Sequence, residues 1–233
     1  MSRLLRLLCT ICVLIFLMVS CERSRFDIGT VVTYPIVARS YTGDGLSYRS
    51  EGIAVTVEID TNVTDKDYHV TLIAPDASFT WECFCTPYTS GSLWYISLSE
   101  FLLPPDMPLP VGSWIIEIGL PDGQIKQYPI DVKSISADVR LYDTIPELVW
   151  EYKDERRSLE LMFNEQIAPS DLDWNIYLFD DNDLLLSSAR YTGTSVYTER
   201  SNDTEKQSKI VRAVYLTFDK QSGVLLVGRT IFR

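Results

Sequence analysis

The sequence has few of the residues on which enzyme catalysis usually depends. Its 233 residues include one histidine, His69, and no G-x-S-x-G, G-x-x-x-x-G-K-[ST], H-E-x-x-H or G-x-G-x-x-G pattern. His69 could act as a general base if a hydroxyl or thiol nucleophile lay beside it. A lone histidine on a strand is more often structural, so we expect no enzyme activity and no cofactor.

Long apolar runs are also scarce. Residues 7–20 are mostly apolar, but two arginines precede them and charged residues follow Cys21 at once. A membrane-spanning helix needs ~20 consecutive apolar residues. A short positive segment, an apolar run and a small residue before the cleavage point are instead typical of a secretory signal.

The end of this run, Met18-Val19-Ser20-Cys21, resembles the lipobox of bacterial lipoproteins. The resemblance implies that residues 1–20 are removed and that Cys21 becomes the acylated N-terminus of a tether of residues 21–27. Glu22 stands where lipoproteins retained at the inner membrane commonly have Asp, so we expect a cell-envelope protein at the outer membrane. The alternatives are an ordinary cleaved signal and an uncleaved anchor, and in both of these Cys21 is incidental.

Basic residues are in the minority. Loss of Arg3 and Arg6 with the signal takes Lys and Arg from 21 to 19 against 32 acidic residues, and the net charge from −11 to −13. A chain this acidic repels nucleic acid and anionic lipid headgroups. The expected membrane contact is therefore through acyl chains, of which two suffice for stable anchoring.

Cysteine is scarce in the chain that remains after cleavage. Besides Cys21 there are only Cys83 and Cys85, in the stretch WECFC. Their Cα atoms would lie about 7 Å apart on an extended strand, so a disulfide, which an exported compartment permits, needs a bulge or turn. Two alternatives are open. In the first, both cysteines and Trp81 pack as hydrophobic side chains on one strand face. In the second, the two cysteines and His69 bind a metal ion, but these three ligands are one short of a tetrahedral set.

Period-two alternation of apolar and polar residues dominates the rest of the chain, and long helical patterns are absent. The first half has seven strand-like segments, at 30–38, 53–60, 68–74, 78–84, 93–99, 114–120 and 124–132. The second half has seven more, at 137–143, 147–152, 158–164, 174–180, 184–191, 209–218 and 224–232. This spacing predicts an all-β fold of tandem antiparallel β-sandwich units, with domains at 28–132 and 133–233.

Pro110, Gly112 and Trp114, ahead of the last hairpin of the first half, are similar to a pattern of extracellular β-modules. Residues 28–132 thus resemble an immunoglobulin-like or fibronectin type III-like sandwich, which implies a fold and no function. Tyr68 and Trp174 are each the first residue of an alternating strand that follows an acidic link. This correspondence is consistent with a tandem repeat of one sandwich module. One larger sandwich built from all the strands is the alternative.

Two long segments, 38–52 and 190–209, mix tyrosine with Ser, Gly, Thr and charged residues. Such segments are predicted to be solvated loops or binding loops, since tyrosine offers much contact area for little lost rotamer freedom. The tyrosines that would bind are Tyr41, Tyr48, Tyr191 and Tyr197.

Acidic residues crowd one predicted hairpin, at Asp180, Asp181 and Asp183. Oxygen-rich turns can hold Ca²⁺, but the ligand order of an EF-hand is missing and Asp is a standard turn residue. We therefore expect a turn and no metal.

These observations predict a non-enzymatic, lipid-anchored cell-envelope protein. It would mediate protein–protein interaction or envelope scaffolding, through loops or an exposed sheet edge. The alternative is a carbohydrate-binding or small-molecule-binding module on a β-sandwich, in which aromatic side chains would stack on a ring. That alternative would use Trp94, Tyr95, Tyr191 and Tyr197.

Overall fold

The computed structural model describes residues 27–41, 46–60, 67–119, 123–133, 135, 142–153, 156–163, 172–191, 197–200 and 210–232. This part of the chain is built from strands in sandwich-like sheets, with one turn of 3₁₀ helix at Pro75–Ala77, so the predicted all-β fold class is confirmed. Within the same ranges, no helix is long and apolar enough to cross a membrane.

The described residues form fifteen strands. In chain order they are β1 Asp27–Tyr41, β2 Ser47–Asp60, β3 Tyr68–Ile73, β4 Thr80–Cys85, β5 Tyr88–Ser90, β6 Leu93–Leu102, β7 Gly112–Gly119, β8 Ile125–Val132, β9 Glu147–Lys153, β10 Arg156–Met162, β11 Asn175–Phe179, β12 Leu185–Arg190, β13 Tyr197–Arg200, β14 Arg212–Asp219 and β15 Val224–Ile231.

Eight strands form one sheet that contains both ends of the described chain. Its order is β12-β11-β14-β15-β1-β2-β6-β5. Every recorded pairing in it is antiparallel except β1 with β15, which run parallel from Ile36 opposite Leu225 to Tyr41 opposite Thr230. The halves 28–132 and 133–233 therefore share a sheet, and their separation into two domains stays a prediction.

Two smaller sheets, β4-β3-β7-β8 and β13-β10-β9, lie against the eight-stranded sheet. Trp81 of β4 contacts Phe101 of β6 with ring centroids 5.5 Å apart, and Trp150 of β9 contacts Phe232 beyond β15 at 5.9 Å. One hydrophobic core runs between the layers, because alternate residues of each strand point inward. Examples from the three sheets are Val55, Val57, Leu72, Ile116, Leu159, Ile176 and Leu226.

The structure shows what the proline, glycine and tryptophan of the Pro-x-Gly-x-Trp stretch do. Trp114 is fully buried and stacks on Trp81 at 5.5 Å, and its indole Nε1 donates a 2.9 Å hydrogen bond to the carbonyl of Pro110. Gly112 has φ +131°, a conformation that other residues rarely adopt. Truncation of a buried tryptophan typically costs about 3–5 kcal/mol, so this contact contributes substantially to stability.

Some sequence-based boundaries were wrong. Most of the segment 38–52 is not a loop, because β1 and β2 pair as far as Tyr41 opposite Ser47. Residues 142 and 143, at the end of the predicted strand 137–143, are not in a strand, and 137–141 lie outside the described residues. The short strands β5 and β13 were not predicted, since three or four residues show too little alternation to be recognised.

Candidate functional site

The most exposed apolar stretch on a strand edge lies at the start of β12. Leu184, Leu185 and Leu186 are 63%, 53% and 43% exposed. The turn before them is fixed by Asp180, whose Oδ1 accepts 2.9 Å hydrogen bonds from the backbone N–H groups of Asn182 and Leu184. This turn leads directly into the three exposed leucines. We call these three residues the leucine edge.

Strand β12 is the outer strand of the eight-stranded sheet, paired on one side with β11. An outer strand presents unpaired backbone N–H and C=O groups, and proteins usually protect such edges with charge, proline or short length. The other outer strands among the described residues have such protection. It consists of Glu82 in β4, Lys126 and Pro129 in β8, Glu151 in β9, and the short length of β13 and β5, which have 4 and 3 residues. Residues 184–189, which end one residue before the charged end of β12 at Arg190, contain neither charge nor proline, although the register of β12 against β11 shifts at Leu186.

Charges of opposite sign flank this apolar edge. At one end, Asp183 accepts a 3.0 Å ion-paired hydrogen bond from Arg212. At the other end, Arg190 pairs with Asp173, and a hydrogen bond from Arg190 lowers the pKa of that carboxyl. The strand thus has an acidic end and a basic end.

The outward face of the same sheet carries further apolar side chains. A small cluster of Ile36, Ala38, Ala54, Val214 and Val227 is buried on this face. At its border the exposed rings of Tyr34 and Phe218 meet edge to face at 5.1 Å. An outward sheet face is usually polar, so the apolar cluster on this face is a departure from the usual pattern.

A polar cluster is buried on the inward face. The Arg39 guanidinium lies 4.8 Å from the centre of the Tyr41 ring and 5.0 Å from that of Tyr142, and donates a 3.4 Å hydrogen bond to the carbonyl of Ile145. Burial raises the pKa of Tyr41, although the Arg39 charge opposes this rise. The Tyr41 hydroxyl has no hydrogen-bond partner within the described ranges. This cluster fixes segment 142–147 to β1.

A second contact fastens the same segment. The buried Tyr215 hydroxyl donates a 2.7 Å hydrogen bond to the carbonyl of Pro146. Its ring crosses Gly228, where a Cβ would lie 2.0 Å from Cε2 of the tyrosine. Because only glycine leaves room for the ring, Gly228 is a requirement of this packing.

A cleft of about 590 Å³ opens between β1, the end of β8 and the β14–β15 turn. Its floor is apolar, with Ile53, Val132 and Val224 nearly fully buried. Asp131 and Lys133 stand at its rim, and none of the described residues that line it is aromatic. The cleft could hold a small amphipathic molecule, but it offers no ring on which a sugar could stack.

The two cysteines share the inward face of β4 with Trp81, and all three pack against the core. Their sulfur atoms are 3.5 Å apart and are not bonded. Burial, followed by the hydrogen bond with Cys83, raises the pKa of Cys85 to about 12. A thiol with so high a pKa is a poor nucleophile at neutral pH, and the predicted disulfide stays a prediction.

His69 lies opposite Phe84 on the other face of the same strand pair. Its ring contacts Phe84 at 5.1 Å, and Nε2 is 3.6 Å from a carboxylate oxygen of Glu82. Because Cys83 and Cys85 point to the opposite face, neither thiol can serve as its nucleophile.

The predicted acidic hairpin is a turn stabilised by its own carboxylates. Besides Asp180, Asp181 accepts a 2.9 Å hydrogen bond from the Asn182 side chain, and Asp183 binds Arg212. Within the described ranges, no group of three or more His, Cys, Asp or Glu side chains is placed to hold a metal ion.

Of the four predicted binding tyrosines, the three whose side chains are described are not brought together. Tyr41 is buried, and Tyr48 is exposed on the outward face of the same hairpin. Tyr191 packs on Phe163 at 5.8 Å, and burial raises its pKa. Tyr197 lies in β13, but its side chain is outside the described residues, as is Cys21.

The other predicted stacking residues lie on β6. Trp94 packs against the core, whereas Tyr95 faces outward and contacts the exposed Tyr88 ring at 5.9 Å. Sequence reasoning named an exposed sheet edge but not its position. The signal was present in DNDLLLSSAR, where three leucines follow a turn without alternation.

Comparison with known proteins gives little beyond this. No protein-family model matches, and no curated protein matches. A solved structure described as "Biofilm associated protein - BSP domain" is similar with a TM-score of 0.28 and 9% identity, covering 88% of this chain and 29% of its own. The chain therefore spans less than a third of that protein's length.

A second similar structure is the crystal structure of Dpr11 IG1 bound to DIP-gamma IG+IG2. It has a TM-score of 0.20 and 8% identity, and the match covers 87% of this chain and 98% of that one. The description of the fold therefore depends on the strands and sheets themselves.

Proposed function

We propose that this chain is a non-enzymatic, lipid-anchored protein of the bacterial cell envelope that binds another protein through the leucine edge. The observation that carries the proposal is the set of three exposed leucines at and just before the start of the outer strand β12, in a stretch without charge or proline. Addition of a partner strand to such an edge satisfies the unpaired backbone groups and buries the leucines. Scaffolding of the envelope would follow from the same contact.

The anchor is supported by the sequence. Met18-Val19-Ser20-Cys21 ends an apolar signal, and the first strand begins at Asp27. Six residue steps from Cys21 to Asp27 reach at most about 20 Å when extended. An acylated Cys21 would therefore keep the start of β1 close to the bilayer surface, and an outer-membrane location follows from Glu22.

The described contacts of the titratable groups support binding more than catalysis. His69 lies on an open sheet face with Glu82 and Phe84. Asp180 and Asp183 are engaged in turn and ion-pair contacts. Catalysis needs a nucleophile and a base within hydrogen-bond reach of each other, and these groups do not provide that pair.

The experiment compares the wild-type chain with the Cys21→Ala variant in the native membrane. Intact mass and detergent partitioning should show a lipid-sized increment in the wild type and its loss in the variant. Cys12→Ala, which changes a cysteine inside the signal, is the matched control and should retain the lipid. Crosslinking in the same membrane should then capture a protein neighbour. An unmodified chain that begins at another residue would contradict the anchor, and the absence of any protein adduct would contradict the binding role.

A small-molecule site is the second candidate, favoured by the cleft at β1, β8 and the β14–β15 turn. Its apolar floor and charged rim fit a compact amphipathic molecule. Native mass spectrometry of protein isolated from its envelope should then show a retained ligand. A Thr33→Trp variant, which fills the cleft, should lose it.

A further inference from the structure

We infer that β12 pairs antiparallel with β12 of a second copy of this chain, so that two eight-stranded sheets join at their leucine edges. The inference rests on the proposed function, because it names the partner that the same edge binds. The second copy is indicated by the order of side chains along the strand.

Antiparallel pairing about a two-fold axis at Ser187 gives complementary neighbours. It places the small residues Ser188 and Ala189 of one copy beside Leu185 and Leu186 of the other, where the register of β12 against β11 shifts at Leu186. Each large side chain thus meets a small one, and each contact occurs twice because the interface is isologous.

The charges at the two ends of the strand are complementary in the same arrangement. Arg190 of each copy lies beside the acidic turn of the other, which ends at Asp183. The side chains of Arg190 and Asp183 are 62% and 77% exposed although each has an intramolecular partner. They can therefore contact a second copy without loss of the existing ion pairs.

A bilayer is a poorer occupant of this edge. Across the sheet, Arg190 is opposite Asn175, Asn175 opposite Leu216, Leu216 opposite Val227, and Val227 opposite Ala38. Arg190 and Ala38 of β1 therefore lie at the same level in the sheet. Ala38 is about 36 Å along β1 from Asp27 at ~3.3 Å per residue. The leucine edge thus lies beside the far half of the strand whose start carries the tether, and the net charge of −11 opposes anionic headgroups.

The test uses the full-length chain in its native membrane. A photo-crosslinking amino acid replaces Leu186 and, as the matched control, Leu93, since both leucines are 43% exposed. Two differently tagged copies are co-expressed in parallel, and their co-isolation in detergent is compared for the wild type, Leu186→Lys and Leu93→Lys. Lysine on an outer strand opposes strand pairing.

We expect an adduct with the mass of two chains from position 186 and none from position 93. Co-isolation should be lost in Leu186→Lys and retained in Leu93→Lys. An adduct of position 186 with a different protein would overturn the second copy as partner and leave the proposed function standing. Absence of any protein adduct at position 186 would overturn both, and co-isolation that persists in Leu186→Lys would overturn the leucine edge as the contact.

Discussion

Substitution of Gly228 by alanine tests how segment 142–147 is fastened to the eight-stranded sheet. The added Cβ would lie 2.0 Å from Cε2, 2.2 Å from Cζ and 2.6 Å from the hydroxyl oxygen of Tyr215. Distances this short force the ring to move. Because Tyr215 is fully buried and in register with Gly228, the ring can move only by displacing its neighbours, which include Trp174 at 5.8 Å.

The expected loss of stability has two parts. Overpacking of a tight core costs about 1–3 kcal/mol. Displacement of the ring also breaks the 2.7 Å hydrogen bond to Pro146, and a buried carbonyl left without its partner costs about 1–3 kcal/mol. We therefore expect a decrease of about 2–6 kcal/mol in the free energy of unfolding. At roughly 2–4 °C per kcal/mol for a chain of this size, Tm should fall by about 4–24 °C.

Thermal and urea unfolding, followed by circular dichroism, measure this effect. Gly119→Ala is the control, since its added Cβ would make only ordinary contacts with His69, at 3.4 Å or more. The decisive comparison places Gly228→Ala in a Tyr215→Ala background, where the ring is gone and the substitution should be nearly neutral. An equal loss of stability in both backgrounds would refute the steric explanation, because the two sites would then be independent.

Two further predictions concern titratable groups. Because burial raises the pKa of Cys85 to about 12, iodoacetamide should label Cys85 slowly at about pH 7.5 in the folded protein and rapidly in urea, by mass spectrometry; rapid labelling of Cys85 in the folded protein would contradict the packing of β4. Burial acts to raise the pKa of Asp219, but hydrogen bonds from the Ser222 hydroxyl and two backbone N–H groups outweigh it and lower the pKa. A carboxylate with a lower pKa in the folded than in the unfolded protein stabilises the fold at pH values above its unfolded pKa. This stabilisation is lost as the pH falls through the folded pKa. Asp219→Asn should therefore lower Tm at about pH 7 and leave it nearly unchanged at about pH 2, and an equal decrease at both pH values would show that the charge is not responsible.

Much of the β architecture could be predicted from local pattern. Alternation in stretches such as WIIEIG and YHVTLI reports which side of a strand is buried, because side-chain direction has a period of two. The burial of Trp114 and the turn at Asp180 follow from the same local chemistry. Local pattern failed at 38–52, where Ser, Gly and charged residues indicated a loop. Pairing between β1 and β2 extends β1 to Tyr41 and begins β2 at Ser47, since tertiary contacts override weak local preference.

The sequence by itself determined the all-β class, the positions of most strands and the apolar run that ends before Cys21, because each depends on residues close together in the chain. Only the tertiary structure decided which strands are neighbours. The parallel pairing of β1 with β15 joins residues nearly two hundred positions apart, and nothing local in either strand specifies it. The tertiary structure likewise places β12 at the outside of the sheet, next to β11, where Leu184, Leu185 and Leu186 are exposed. Whether a leucine on a strand is core or surface depends on what packs against it, and that is a property of the whole fold.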